Sequence, residues 1–375
     1  MSDYSIEKIE ARLNEERVIL IGGAGFIGHN LALQLADAGV ATLVVDNLML
    51  NNLVDNVYSQ RDAVQRTAYM GFLLSRFSLM RDASIKLVNG DARLLSDLNT
   101  IFEEFQPTKV VHLSAIASSV DAKNVPGLMF DLQLTTLRNI LELARTSHRG
   151  IYQIMFLSSS TVYGDFEGDS VNENIRPRPK GIYANTKYMG ERLLRTYAHQ
   201  YGTGCTIIRP SALYGERCIS RRVSQIFIEN ALTGKPLLLE GGGDGRLDFT
   251  DINDLVEGMI RALAFHKGEG ATQTFNLTLG NARTIADLAG IVRDVIPNVT
   301  LEERPRIKAT LIVIYGDIAL TDDLERISRH HNCCVFIKSN AEKFRPRSEH
   351  LYHVGMSVPT KQMLIDSHPT QESQT

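Results

Sequence analysis

Residues 17–39 read "RVILIGGAGFIGHNLALQLADAG". The first five, RVILI (17–21), form a short apolar run of the kind that makes a strand buried on both faces. A glycine cluster follows, and then FIGHNLALQLADAG, whose apolar residues recur at helical spacing and which ends at Gly39, a helix-terminating residue. Gly22, Gly25 and Gly28 satisfy a Gly-x-x-Gly-x-x-Gly spacing between that strand and that helix. Such glycines permit a tight turn and let backbone N–H groups at the helix start approach a pyrophosphate. Asp46 closes the next buried strand, ATLVVD (41–46), 18 residues past Gly28. An acid there can accept hydrogen bonds from adenosine ribose hydroxyls, and its charge would repel a 2′-phosphate. NAD is therefore expected in preference to NADP.

The pattern repeats outward. IKLVNGD (85–91), KVVHLSA (109–115), IYQIMFLSS (151–159) and CTIIRP (205–210) are each short and apolar and end in small or polar residues. Helical stretches at 94–105, 125–147 and 181–201 separate them. This alternation implies parallel strands with crossover helices, an α/β fold with active groups at the strand C-termini. The cofactor site is expected to include Gly22, Gly25, Phe26, Ile27, Gly28, Asp46, Asn47, Asp91, Ala92, Leu113, Ser114 and Ala115. For Asp91 two readings stand side by side, a residue facing the adenine and a helix N-cap. The small residues of HLSAIAS (112–118) would let backbone lie close to the cofactor.

Two segments interrupt the rhythm. Residues 50–84 intervene between the second and third strands, with Tyr69, Phe72, Leu73, Arg76, Phe77 and Met80 at helical spacing. After Pro210, helical 222–233, the glycine cluster EGGGDG (240–245), helical 251–266 and a TFNLT strand (274–278) suggest a smaller mixed lobe. From about 306 the chain carries TLIVIYGDIAL (310–320), a helical stretch 321–331 and CCVFIK (333–338), an extra strand–helix–strand unit before a polar, disordered end. The expected organisation is a nucleotide-binding domain over 1–210 with the 50–84 insertion, a partly interleaved substrate lobe over 211–305 and a C-terminal extension over 306–375. A short amphipathic helix, with Ile6, Ile9 and Leu13, leads in.

Composition excludes several classes. Across 375 residues, 43% are hydrophobic and 22% charged, and the net charge of −3 has both signs interspersed, so no basic face for nucleic acid is advertised. The charged start, MSDYSIEKIEARLNEER, has no apolar core of a secretory signal, and no run approaches the length of a membrane span. The four cysteines form neither a CxxC pair nor a disulfide framework, which fits a reduced cytoplasmic setting. RHHNCC (329–334) has adjacent histidines and adjacent cysteines, which is not zinc-ligand spacing, so no metal is expected.

YANTK (183–187) places Tyr183 and Lys187 at i, i+4, on one face of a helix that follows the fifth strand. A free tyrosine, with a pKa near 10, is a poor base. A nearby ammonium and a cationic nicotinamide ring would favour the phenolate, and a fall of about 3 units needs roughly 4 kcal/mol. The fifth strand ends in FLSSSTVYGD (156–165), a row of hydroxyls before Val162-Tyr163-Gly164.

Gly22 to Gly28, Asp46, that serine row, the Tyr183/Lys187 pair and RPSALYGE (209–216) together resemble the extended short-chain dehydrogenase/reductase family, in its nucleotide-sugar epimerase and dehydratase branch. The resemblance covers roughly residues 17–305. It implies a doubly wound Rossmann-type sheet, NAD as cofactor, and a catalytic set of Ser159, Tyr183 as base and Lys187 as electrostatic support. By the same match Ser158 belongs to the strand end. Dehydratases and decarboxylases of the family carry an acid where this chain has Ser160 and Thr161, so the resemblance favours a C4 epimerase. Tyr183 would take the sugar hydroxyl proton while hydride passes to NAD, and the hydride would return on the other face of a transient keto-sugar. A 4,6-dehydratase, a decarboxylase, a 4-keto reductase and a non-enzymatic NAD-binding regulator are the alternatives. The family's Asn-x-x-Gly-Thr element is replaced by LQLTTLRNILELA (132–144), and Ala212 and Leu247 stand where relatives have Asn and Arg. Ser160, Arg222 and Arg246 remain candidates for the substrate, and a homodimer is expected.

Overall fold

The computed structural model describes residues 6–49, 53, 57–58, 61–116, 119–146, 150–166, 168, 170–220, 222–265, 270–305, 311–315 and 334–338. Six of the expected strands are β1 (Arg17–Ile21), β2 (Ala41–Asp46), β3 (Lys86–Asn89), β4 (Lys109–His112), β5 (Gln153–Leu157) and β6 (Gly204–Pro210). With the later strand Thr272–Leu277 they form one seven-stranded parallel sheet, in the order Thr272–Leu277, β6, β5, β4, β1, β2, β3. The chain winds to one side from β1 through β3 and to the other from β4 onward. The reversal opens a crevice past the C-termini of β1 and β4.

Alternate residues of the strands feed two apolar layers, one on each face, because side chains along a strand point to opposite sides. On one face Val18, Leu20, Val44, Met155 and Ile208 pack with Leu31 and Leu35 of the helix Phe26–Asp37 and with Leu255, Val256 and Met259 of Ile252–Ala264. On the other, Ile19, Ile21, Val45, Val110, Ile154 and Ile207 meet Leu98, Phe102, Leu137, Ile140 and Leu194. Both faces are thus covered by helices, which is why the strands read as continuous apolar runs.

Local chemistry sets the helix limits. Phe26–Asp37 stops at Ala38, and Gly39 takes the left-handed conformation (φ 74°) that ends a helix cheaply only without a side chain. The interruption between β2 and β3 contains the helix Ala63–Asp82, capped by the Asp62 carboxylate accepting from the Gln65 N–H, with Tyr69, Leu73, Arg76 and Met80 buried. The expected helix over 125–147 is broken into Pro126–Phe130, a π-helical turn Asp131–Thr135 and Thr136–Thr146. The region after Pro210, expected as a partly interleaved lobe, contributes Thr272–Leu277 to the central sheet.

Two compact units are distinguished: Met1–Lys235 with Gly245–Val299, and Pro236–Asp244 with Thr300–Thr375. In the second, Leu237–Glu240 pairs in parallel with Leu301–Arg304, and Leu311–Tyr315 with Cys334–Lys338. These last two are the strands read from TLIVIYGDIAL and CCVFIK. The helix expected at 321–331, most of RHHNCC and the polar end lie outside the described residues. Among the described residues no helix is long and apolar enough to cross a membrane.

Glycine substitutions separate packing from propensity. A Cβ on Gly190 would sit 2.5 Å from the Phe156 ring, whereas a Cβ on Gly71 meets nothing within 4 Å. Gly190→Ala is therefore expected to destabilise by about 1–3 kcal/mol through overpacking. Gly71→Ala, within the helix Ala63–Asp82, is expected to stabilise by about 0.5–1 kcal/mol. Urea denaturation of both variants against the parent chain checks the opposite signs.

Candidate active site

The turn between β1 and the helix Phe26–Asp37 is shaped by close approach. Gly22 has φ 77°, and a Cβ there would lie 2.8 Å from the Ser114 backbone at the end of β4. A Cβ on Gly28 would lie 2.4 Å from the Gly23 carbonyl oxygen, so helix and turn touch through hydrogen atoms alone. Gly25 differs, because its added Cβ would meet only the Gly22 oxygen, at 3.5 Å. Its outer side is open to the cavity, where the unpaired N–H groups of the helix's first turn lie.

Asp46 braces this turn. One carboxylate oxygen accepts from the Ala24 N–H (3.0 Å) and the other from the Leu48 N–H (2.8 Å). Burial pushes its pKa up, while the two N–H groups and the Arg76 charge oppose the shift. Asp91 does not cap the following helix, whose N-cap position is Leu94. Its carboxylate instead binds the Arg93 guanidinium (2.5 Å), which holds its pKa down, and accepts from the Asn47 amide at 3.4 Å.

At the far side of the crevice, β5 runs into the hydroxyl row, and the three serines separate. Ser158 donates to the Glu191 carboxylate (2.6 Å) and is buried. The Ser159 hydroxyl accepts from the Thr161 N–H (3.2 Å) and the Thr161 hydroxyl (3.0 Å), and it lies close enough to Tyr183 to favour that residue's phenolate. Ser160 and Thr161 begin a 3-10 turn, Ser160–Tyr163, and line the cavity.

Tyr183, Lys187 and Glu191 occupy successive turns of the helix Gly181–Tyr201. Lys187 donates to the Leu157 carbonyl (2.7 Å), with its ammonium nitrogen 5.8 Å from the Tyr183 ring centroid. Glu191 is fully buried against Arg209 of β6, whose Nε and Nη2 reach its two oxygens at 2.8 and 2.5 Å. Arg209 Nη1 also donates to the Tyr163 hydroxyl, which in turn donates to Asn276 on Thr272–Leu277, both at 2.8 Å.

The electrostatics differ from the expectation that Lys187 lowers the tyrosine. In the protein alone burial pushes Tyr183 up, opposed by the Arg222 charge and the Ser159 hydroxyl. Burial also pulls Lys187 down to about 7, with Glu191 opposing. Burial pulls His112, beneath them, down to about 3, and the Lys187 charge adds to the shift, so its ring is neutral. Desolvation outweighs the pairwise attraction because the crevice is apolar on most sides.

One cavity of about 650 Å³ joins the two ends. All of the expected cofactor residues line it, from Gly22 to Ala115, as do Ser159, Ser160, Tyr183, Lys187 and Arg222. Arg246 is the exception among the candidates. Its guanidinium donates to the Ala282 carbonyl at 3.0 Å, and its neighbour Leu247 lines the cavity instead. Sequence reasoning overlooked Arg61 and Arg76, which also line the cavity, Arg76 near enough for its charge to act on Asp46. The available signal was an arginine at position 76 among the apolar residues of a helical face.

A parallel doubly wound sheet with a glycine turn, an acid ending β2 and a Ser–Tyr–Lys group past β5 defines a Rossmann-type nucleotide-binding fold. The model of the NAD dependent epimerase/dehydratase family matches residues 18–278, and the chain belongs to that family. UDP-glucuronate 4-epimerase 2 of Arabidopsis thaliana is 30% identical over 293 residues, which are 74% of this chain and 64% of the relative. UDP-glucuronate 4-epimerase of Thermodesulfobacterium geofontis (strain OPF15) is 30% identical over 251 residues, 65% and 71% of the two chains. This chain spans 54–64% of the length of the first three Arabidopsis relatives. UDP-glucose 4-epimerase of Thermus thermophilus, solved with NAD, superposes with a TM-score of 0.62 at 27% identity, over 77% of this chain and 86% of that one. UDP-glucuronic acid 4-epimerase from Bacillus cereus shares the fold, with a TM-score of 0.64 at 21% identity and coverage of 77% and 86%.

The cavity fits the family's dinucleotide: the open side of Gly25 and the helix N-terminus suit a pyrophosphate, and Asp46 and Asn47 line the end where a ribose belongs.

Lys187 supplies a stability signature. Its pKa is depressed on folding, so between about 7 and 10.5 the unfolded chain holds a proton that the folded chain does not. Folding stability from this group therefore rises with pH across that window. The melting temperature of the parent chain relative to Lys187→Met is expected to climb between pH 7 and pH 10 without ligand. A pH-independent difference in calorimetry would contradict the shift.

Proposed function

We propose that the chain is an NAD-dependent 4-epimerase of a nucleotide sugar, with UDP-hexuronates as the first candidates. The supporting observation is that Ser159 and Tyr183 line one cavity, with the Lys187 ammonium 5.8 Å from the Tyr183 ring and with Ser160 and Thr161 beside them. The carboxylates among the described lining residues, Asp46 and Asp91, belong to the β2 and β3 ends of the sheet. A dehydratase or decarboxylase would need an acid beside the sugar, so this arrangement favours epimerisation.

Tyr183 accepts the proton of the C4 hydroxyl, and Ser159 donates a hydrogen bond to the same oxygen as it becomes a carbonyl. Lys187, held by the Leu157 carbonyl, would stand as the cation beside the phenolate once bound NAD and substrate offset the neutral forms that burial favours in the protein alone. Bound NAD supplies the hydride acceptor and, on the return to the opposite face, the donor. Arg222, whose charge acts on Tyr183, suits an anionic group of the substrate: a diphosphate or a C6 carboxylate. The names of the relatives make the carboxylate the first to test.

Incubation with UDP-glucuronate, UDP-galacturonate, UDP-glucose, UDP-N-acetylglucosamine and dTDP-glucose, followed by NMR, is expected to give the C4 epimer of a uronate. A stable 4-keto-6-deoxy product would sink the proposal in favour of dehydration. Tyr183→Phe is expected to lower kcat by at least about 100-fold, the scale of a lost general base, while NAD binding persists. Near-normal turnover of that variant would refute the assigned base.

A further inference from the structure

The glycine turn is held from an unexpected direction. His29, fully buried in the first turns of Phe26–Asp37, has its Nδ1 2.8 Å from the Gly25 carbonyl oxygen. Its Nε2 lies 3.0 Å from the Nε of Arg217. The arginine can only donate, so Nε2 accepts, and the ring proton stays on Nδ1 and is donated to Gly25. Burial, with the charges of Arg76 and Arg217, holds the His29 pKa near 3, which keeps that single-proton form at physiological pH. Arg217 Nη2 also donates to the Asn30 side-chain oxygen at 3.2 Å, and the Asn30 amide donates to the Phe26 carbonyl at 2.9 Å. Gly25 and Phe26 are thus each reached through one side chain from one arginine.

That arginine belongs to a distant segment of the chain. It follows the Ala212–Tyr214 strand and precedes Ile219, Ser220 and Arg222, which line the same cavity, Arg222 near enough for its charge to act on Tyr183. Its own backbone is left-handed (φ 62°), an unfavourable conformation for a side-chain-bearing residue, and its carbonyl is held by Arg76 of Ala63–Asp82 through Nε (3.1 Å) and Nη2. Arg76 is fully buried.

We propose that Arg217 and His29 act as positioning residues that interlock the cofactor's glycine turn with the substrate-side segment Glu216–Ser220. The glycine turn then keeps the shape that receives a pyrophosphate only while the substrate-side segment is in place. Because coupling between sites is reciprocal, NAD binding in turn orders the segment that carries Ile219 and Ser220 and leads to Arg222. This inference rests on reading the cavity as the NAD site.

The test is a double-mutant cycle on NAD affinity, using NAD-stripped full-length protein titrated with NAD by calorimetry. His29→Phe keeps a buried ring without nitrogen, Arg217→Met removes the donors, and Arg217→Lys retains a charge and a single donor group without the guanidinium's fork. Each of the first two is expected to weaken NAD at least about tenfold, and the double variant no further, as for residues acting through one contact. Arg217→Lys is expected to recover part of the loss. Melting temperatures measured alongside separate this from general destabilisation. Single-variant affinities within twofold of the parent, or losses that multiply in the double variant, would overturn the interlock. A parent chain that binds no NAD would instead refute the cofactor reading beneath it.

Discussion

The buried pair of Glu191 and Arg209 is the constraint on which the geometry of the candidate site depends. Two opposite charges out of water are costly, and such a pair often adds little net stability over apolar replacements. Removing one partner, however, leaves an uncompensated charge, at a cost of about 3–5 kcal/mol. The pair therefore acts as a register pin. Glu191 joins the helix Gly181–Tyr201 to Arg209 on β6 and to Ser158 at the end of β5. Two turns before Glu191 on that helix, Tyr183 is delivered to Ser159, the residue after Ser158. Slippage of the helix by one residue would separate the two hydroxyls and strand both charges.

Around this pin the site is assembled from two kinds of contact. The cofactor end is mostly backbone: glycines where a Cβ would collide, helix N–H groups, and a carboxylate that braces the turn by accepting from Ala24 and Leu48. The end proposed for the sugar is mostly side chain, with hydroxyls, an ammonium and Arg222. Backbone geometry can be reused for one cofactor by many relatives, whereas side chains at the sugar end can be exchanged to suit a substrate. This division explains why family membership follows from the chain while the sugar stays a proposal.

Most of the fold was legible because burial on both faces leaves a plain mark, the short continuous apolar runs of β1, β2, β4, β5 and β6. The glycine turn and the Tyr183/Lys187 spacing were legible for the same local reason. What escaped the sequence depends on distant segments. Arg76 reads as one charge on an apolar helical face, and only folding sets it beside Asp46 and the Arg217 carbonyl. Arg246 and Leu247 are adjacent in sequence, and the pairing of Arg246–Leu247 with Arg283–Thr284 decides which of them lines the cavity. The direction of the Tyr183 shift escaped too, since spacing records a neighbouring charge and is silent on desolvation.

The cavity wall draws on residues from Ile21 to Phe249. No hairpin or single βαβ unit contains enough of it to hold a dinucleotide, so the binding surface exists only once β1 through β6 have closed into one sheet. Long-range parallel pairing of that kind is slow to form, and its partly paired intermediates expose strand edges. A dinucleotide that recognises only the closed sheet leaves those intermediates untouched and draws population from them by mass action. The supply of dinucleotide during synthesis would then bear on how much of the chain reaches the native state.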